Sequence, residues 1–214
     1  MGVSGGNPFK ICAIAVLLIA LTSHMPVVGG LAFLEKDPNE LECLRADGGW
    51  AACSKDEVCS AGDGGTILGY RAVVEDPEYL NNWVIKFDML CEPFYRKSML
   101  ASAYYTGSFL TIIALPMLAD NYGRKHIFDS TMVLSAIIQL ALIFANDLDL
   151  ALWEMMFLGM TFGGKSIVGL NYLLEFISSE EQPRVVLIYM FLESSLLIYI
   201  TLHYKYLDRN WLSL

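Results

Sequence analysis

Basic side chains are scarce in this chain of 214 residues. Lys and Arg number 14 against 23 Asp and Glu, which gives a formal net charge of −9, and the chain has 3 histidines. Proteins that bind nucleic acid hold the phosphate backbone with clustered Lys and Arg, so nucleic acid is not expected as a partner. The cysteines form no Cys-x-x-Cys pair and have no histidine near them, as a zinc site requires. We therefore predict no metal and no other cofactor.

The motifs of common enzyme classes are absent as well. The sequence has no arrangement typical of a nucleophilic triad, and its glycine-rich stretch at 62–65 is not followed by the Lys-Ser/Thr of a phosphate-binding loop. No catalytic residue is assigned, and we expect the chain not to be an enzyme. No asparagine stands in an Asn-x-Ser/Thr pattern, which excludes N-glycosylation.

Charge is missing from several long stretches, and 55% of all residues are hydrophobic. A helix needs about 20 apolar residues to cross a hydrocarbon core of about 30 Å. Five stretches approach or exceed this length, at 11–34, 98–119, 128–146, 150–175 and 184–203. The first is longer than the apolar core of a signal peptide, so we interpret it as a retained span. We predict an all-α polytopic membrane protein, with residues 1–214 forming a single membrane domain.

The segment 35–97 between the first two spans differs from the rest of the chain. It holds 13 acidic and 7 basic residues and four of the five cysteines, which are Cys43, Cys53, Cys59 and Cys91. We expect a loop held by disulfides on the oxidising side of a membrane, with the pairing left open among three possibilities.

The charges of the shorter loops predict the orientation. Arg124 and Lys125 follow the second span, whereas Asp147 and Asp149 follow the third. By the positive-inside rule, the turn at Arg124 faces the cytoplasm or its equivalent, and the cysteine loop faces the non-cytoplasmic or intermembrane side. The membrane itself stays open: the plasma membrane, or an internal membrane such as the mitochondrial inner membrane.

Several motifs, in their order along the chain, carry a family resemblance. The stretch from Asp120 to Lys125 reads Asp-Asn-Tyr-Gly-Arg-Lys, and the segment from Trp83 to Glu92 precedes the second span. Both resemble segments of the major facilitator superfamily, in particular its organic cation, organic anion and carnitine transporters, which also carry a large cysteine-bearing loop after the first helix. Three family positions differ, because Pro116 replaces a glycine, and Asn121 and Met155 each replace an arginine.

This resemblance implies a fold and a gate. Members of the superfamily have twelve helices in two halves, with the substrate site between the halves near the middle of the membrane. The chain is then expected to be a truncated N-terminal half of about five helices. In the family, the Asp and Arg of the loop after the second helix brace the halves on the cytoplasmic side, and its Gly permits close approach. The matching loop residues here are Asp120, Gly123, Arg124 and Lys125. In the family, a cytoplasmic charge cluster helps to hold the inward gate, and Glu175 and Arg184 are expected to form such a cluster with Arg124 and Lys125.

Two charged residues lie within predicted spans. Counting about 1.5 Å per residue places Lys165 and Glu193 at a similar depth, about 14 Å from the cytoplasmic surface. We expect them to form an ion pair between neighbouring helices, or to contribute with His24 to a substrate site, since an isolated charge within the membrane is costly.

Two functions follow from these observations. The first is a transporter-derived accessory or structural subunit of a larger membrane assembly, unable to transport alone and in contact with the lipid bilayer and other membrane subunits. The alternative is an organic-ion transporter that works as a half-transporter, or as a fragment of a twelve-helix protein, with a complementary half and a small organic ion as partners.

Overall fold

The computed structural model describes residues 8–60 and 67–213, and for residues 9 and 10 only the backbone. The chain forms two compact units. One consists of Met1–Val28 with Met99–Ile198, and the other of Gly29–Ser98 with Tyr199–Leu214. We call them the helical unit and the disulfide unit and describe each by itself.

Helices account for most of the structure. The elements in chain order are α1 (Pro8–Thr22), α2 (Met25–Leu34), β1 (Leu41–Arg45), β2 (Trp50–Cys53), α3 (Lys55–Ser60), β3 (Ile67–Ala72), α4 (Trp83–Lys86), α5 (Phe94–Tyr122), α6 (Arg124–Phe144), α7 (Leu148–Phe162), a π-helical stretch (Gly163–Val168), α8 (Gly169–Glu175), α9 (Gln182–Leu202), a second π-helical stretch (His203–Leu207) and a 3₁₀ turn (Trp211–Ser213).

Among the described residues, four helical stretches are long and apolar enough to cross a membrane: Ile11–Leu34, Phe94–Tyr122, Arg124–Phe144 and Gln182–Leu207. The prediction of a helical membrane protein is confirmed at this level. The fifth predicted span, 150–175, is helical as α7, the first π-helical stretch and α8, but it is not among the four. Glu154, Lys165 and Asn171 make it more polar, and much of its surface is buried. A helix enclosed by other helices needs less apolar surface than one that faces lipid.

Glycines allow α5 and α7 to pack at very short range. A β-carbon on Gly159 would lie 1.9 Å from the carbonyl oxygen of Tyr104, and one on Gly107 would lie 2.0 Å from that of Met156. Gly163, one turn after Gly159, packs in the same way against Thr111. Small residues four apart are a frequent device for close helix packing in membranes. The two backbones can therefore touch only because these positions lack a side chain.

A single glycine joins α5 to α6. Gly123 has a φ of +93°, a conformation that other residues adopt only with strain. The predicted turn after the second span is thus a sharp reversal of direction. The helical unit also has an apolar core to which α1, α6, α8 and α9 contribute, formed by Leu18, Leu21, Phe128, Leu173, Ile177 and Tyr189.

The disulfide unit contains a small antiparallel sheet that the sequence analysis did not predict. Its strand order is β2-β1-β3, with Cys43 opposite Ala51 and Tyr70. Two disulfides stabilise the unit, Cys43–Cys53 and Cys59–Cys91. The prediction that these four cysteines form disulfides is confirmed, and the structure selects one of the three possible pairings. Cys12 is free and exposed.

Polar contacts tie the sheet region of this unit to its helical ends. The Asp37 carboxylate accepts hydrogen bonds from Lys55 at 2.5 Å and from Lys97. Burial tends to raise the pKa of Asp37, but the two lysines outweigh it and hold the pKa below its ordinary value. The Asn82 amide donates to the carbonyl oxygens of Phe33 and Lys36, at 2.8 and 2.7 Å. These bonds fix the chain where it leaves α2 and where it enters α4.

Candidate functional site

Two interruptions of regular helix lie in the helical unit, and each carries a predicted site residue. The stretch Ile11–Leu34 is divided at Ser23 and His24, between α1 and α2. The stretch that contains α7 and α8 changes to π-helix at Gly163–Val168, which includes Lys165. Helix breaks and π-helical turns cost backbone hydrogen bonds and occur frequently at functional sites, including the binding sites of transporters.

Side chains satisfy the carbonyl groups that the first interruption frees. The Thr22 hydroxyl donates to the Leu18 carbonyl at 3.1 Å, and the Ser23 hydroxyl donates to the Ala20 carbonyl at 2.7 Å. His24 Nδ1 lies 3.0 Å from the Leu21 carbonyl oxygen. A buried helix break without such partners would leave acceptors unsatisfied. The local sequence therefore stabilises the break and also fixes the orientation of the His24 ring.

The other ring nitrogen of His24 faces a carboxylate. His24 Nε2 lies 3.8 Å from Glu193 Oε1, and the side chains of the two residues are 9% and 26% exposed. The Tyr189 hydroxyl, one turn earlier in α9, donates to the same carboxylate oxygen. Phe162 packs edge-on against the imidazole, with 5.4 Å between ring centroids. His24 and Tyr189 thus both contact one acidic group within the membrane helices, and Phe162 packs against the His24 ring.

Lys165 has a different partner from the one predicted. Its side chain is buried and its Nζ donates to the Ser135 hydroxyl of α6 at 3.3 Å. Among the described residues, no ion pair joins Lys165 and Glu193, so the direct pair proposed from the sequence is replaced by a wider network. The depth of a residue along a helix does not determine which face it occupies, and the π-helical stretch further changes the direction of Lys165.

A cavity of about 490 Å³ adjoins this network in the helical unit. Its lining is largely aromatic; the residues include His24, Tyr104, Tyr105, Ser108, Phe109 and Phe162. Tyr104 and Tyr105 contact each other edge to face. Cavities of this size and composition are typical of sites for small molecules.

The loop residues singled out by the sequence lie at the turn after α5. Arg124 donates to Glu175 at 2.6 Å and to Asp120 at 3.3 Å, so one guanidinium joins the end of α5 to the end of α8. Neither Lys125 nor Arg184 takes part in an ion pair among the residues that the structure describes. The structure therefore brings together Asp120, Gly123, Arg124 and Glu175 and leaves the other two basic residues outside this contact.

Sequence reasoning missed several members of the intramembrane network. Tyr189 precedes Glu193 by four residues, so helical periodicity alone could have placed the two on one face. Ser135, Tyr104 and Phe162 come from other helices, and no local pattern points to them. The site is thus a tertiary feature, assembled from α5, α6, α7, α9 and the two interruptions.

No protein-family model and no curated protein sequence matches this chain.

Proposed function

We propose that the chain is the ligand-binding part of a membrane transporter for small organic cations. The observation that carries the proposal is an aromatic cavity lined by His24, a residue whose Nε2 lies 3.8 Å from the Glu193 carboxylate, among helices long enough to cross a membrane. Aromatic faces attract cations, and a carboxylate of low exposure in an apolar setting is a strong attractor of positive charge. The proposal agrees with the resemblance to organic-ion transporters.

The other features of the helical unit fit the same role. A transporter must bind its substrate reversibly while neighbouring helices rearrange, and interrupted helices provide backbone that can adjust without loss of a whole helix. Arg124 joins two helix ends through contacts that are partly exposed, so this link can break at small cost. The complementary helices that would enclose the pathway are a further part of the proposal.

Equilibrium binding of tetraethylammonium to the purified chain, in detergent or nanodiscs, tests this function. We expect saturable binding that falls about 10- to 100-fold in Glu193→Gln, because a hydrogen bond or ion contact to a charged group contributes about 1.5–3 kcal/mol. Asp129→Asn is the matched control, since Asp129 is an exposed acid on α6. Benzoate should not compete. Binding that is absent, or equal in Glu193→Gln and the wild type, would refute the proposal.

A second candidate is the accessory subunit of a membrane assembly. It is favoured by the apolar surface of the disulfide unit, where Leu68 and Val74 are 71% and 63% exposed next to a groove of about 390 Å³ that includes Tyr79 and Ile85. Exposed apolar patches outside the membrane commonly contact other proteins. This role predicts that the native protein, extracted in mild detergent, migrates with several different subunits, and that Leu68→Ser together with Val74→Ser releases it from them. Migration as a single chain or with one complementary helical chain would count against it.

A further inference from the structure

Strand β3 forms one edge of the three-stranded sheet in the disulfide unit. It pairs with β1 along one side, and the strand order β2-β1-β3 leaves its other side without a neighbouring strand among the described residues. An open edge presents a row of backbone N–H and C=O groups to which another strand can pair. With six residues, β3 is the longest strand of this sheet, so its edge is long enough to receive a further strand.

The side chains of this edge give it little protection against pairing. Proteins commonly protect an open edge with charged side chains or proline. β3 contains no proline, and its one charged residue, Arg71, is engaged by the other two strands. The Arg71 guanidinium lies 2.7 Å from the Glu42 carboxylate of β1 and 4.3 Å from the centre of the Trp50 ring of β2. Leu68 of β3 is exposed, so the edge is open and apolar.

An apolar groove continues from the end of β3. Alternate residues of a strand lie on the same face, and Leu68, Tyr70 and Ala72 share one face of β3. The groove of about 390 Å³ is lined by Tyr70 and Ala72 and extends to Val74 and Ile85. When an extended segment adds to a sheet, backbone hydrogen bonds supply affinity and pockets take its alternate side chains. The groove can therefore hold an apolar side chain of a segment bound at β3.

Acidic side chains stand beside this groove. Glu40 and Glu75 are exposed, and the Val73 N–H donates to the Glu40 carbonyl at 3.1 Å, which brings the two acidic positions to the same end of the sheet. Asp88 is also exposed and accepts a hydrogen bond from the Tyr70 hydroxyl. None of the three acids takes part in an ion pair among the residues that the structure describes. Basic side chains would complement this charge, whereas a second copy of the unit or an anionic membrane surface would be repelled.

We propose that the β3 edge and its groove bind an extended segment of a partner protein that is apolar at alternate positions and carries Lys or Arg beside them. The segment pairs with β3 as a fourth strand through backbone hydrogen bonds. One of its apolar side chains fills the groove, and its basic side chains lie near Glu75 and Asp88. This inference rests on the second candidate function, because it names the kind of partner that the accessory role requires.

Photocrosslinking in the native membrane tests this contact on the full chain. Leu68 is replaced by p-benzoylphenylalanine, and in the matched control the same replacement is made at Phe94, another exposed residue of the disulfide unit outside the sheet and the groove. We expect a crosslink from position 68 to one partner protein, and mass spectrometry should place it in a segment of alternating apolar residues with neighbouring Lys or Arg. Position 94 should not give this product.

The other outcomes of the crosslinking overturn the inference. These are crosslinks from position 68 to lipid alone, to a second copy of the chain or to an acidic or uncharged segment, and the absence of any crosslink. If one of these occurs while the native protein still migrates with several subunits, the accessory role stands and only this contact is wrong. If the native protein also migrates alone, both are wrong.

A synthetic peptide with the sequence of the crosslinked segment provides a second readout, by fluorescence anisotropy with the purified chain in detergent. N-methylation of alternate backbone amides should weaken binding at least about tenfold in one set and little in the other, because alternate N–H groups of a strand face the same neighbour. Glu75→Gln together with Asp88→Asn should weaken binding about 2- to 10-fold, less in 1 M salt, and Asp129→Asn should not change it. Equal effects of the two methylated sets, or unchanged binding to the Glu75 and Asp88 variant, would overturn the proposed strand.

Discussion

The glycine contact between α5 and α7 leads to a quantitative prediction for Gly159→Ala. The added β-carbon would lie 1.9 Å from the Tyr104 carbonyl oxygen, whereas an ordinary contact is at least 3.4 Å. Backbone of another helix cannot move aside as a side chain can, so the two helices must separate locally by about 1.5 Å. Overpacking of this kind costs about 1–3 kcal/mol. For a chain of this size, that loss lowers the Tm by about 2–12 °C.

The matched control is Gly164→Ala in the same helical stretch. Its β-carbon would also be crowded, at 2.4 Å, but by Cγ2 of the Thr131 side chain. A side chain can change rotamer, so this substitution should cost less than Gly159→Ala. Thermal unfolding of both variants in the same detergent, followed by the loss of the monodisperse peak in size-exclusion chromatography, provides the comparison. If Gly159→Ala is as stable as the wild type, or more stable than Gly164→Ala, the close packing of α5 and α7 is wrong.

Three further predictions concern the loops and the disulfide unit. Replacement of Cys59 and Cys91 by serine removes a disulfide that spans 32 residues and should destabilise the disulfide unit by about 4 kcal/mol. Urea unfolding of the variant and the wild type measures this difference. Equal stability would show that the unit does not depend on this bond. Arg124→Gln should lower stability by at most about 1 kcal/mol, and the difference from the wild type should shrink in 1 M salt, since its contacts are partly exposed; a salt-independent loss would contradict an electrostatic role. The pKa of Asp37 lies below its ordinary value of 3.8 in the folded state. The ionised carboxylate therefore stabilises the fold fully above pH 3.8, and this stabilisation is lost as the pH falls through the folded pKa. When the pH is lowered from about 5 to about 2, the free energy of unfolding of Asp37→Asn should therefore fall less than that of the wild type. An equal fall in the two proteins would argue against the lysine contacts.

The membrane helices and the disulfide loop were predictable from the composition of whole segments of the sequence. A span is visible from the absence of charge over about 20 residues, because lipid imposes that requirement on the sequence itself. Disulfide bonding of the four cysteines was likewise predictable, because they lie together in the acidic segment between two predicted spans. Their pairing was not predictable, since several pairings suit the same spacings, and the three-stranded sheet that brings Cys43 next to Cys53 depends on contacts between distant strands.

The candidate site was predictable only in part, because it too depends on contacts between distant parts of the chain. The ionisable residues His24, Lys165 and Glu193 attract attention because such residues are rare within a span. Their mutual arrangement depends on the rotation of each helix, which the break at His24 and the π-helical stretch around Lys165 change. The aromatic lining of the cavity was hidden, because Tyr104 and Phe162 resemble any other apolar residue of a membrane helix.

Uptake of tetraethylammonium into vesicles prepared from the native membrane tests the central claim most directly, because every partner of the chain is present there. The comparison is between vesicles that carry the wild-type chain and vesicles in which Glu193→Gln replaces it, with equal protein abundance verified by immunoblot. We predict that the substitution reduces the initial rate at least about tenfold, which corresponds to the loss of one charged contact. Uptake at the same rate in both preparations would contradict the assignment of Glu193 and its cavity as a cation site.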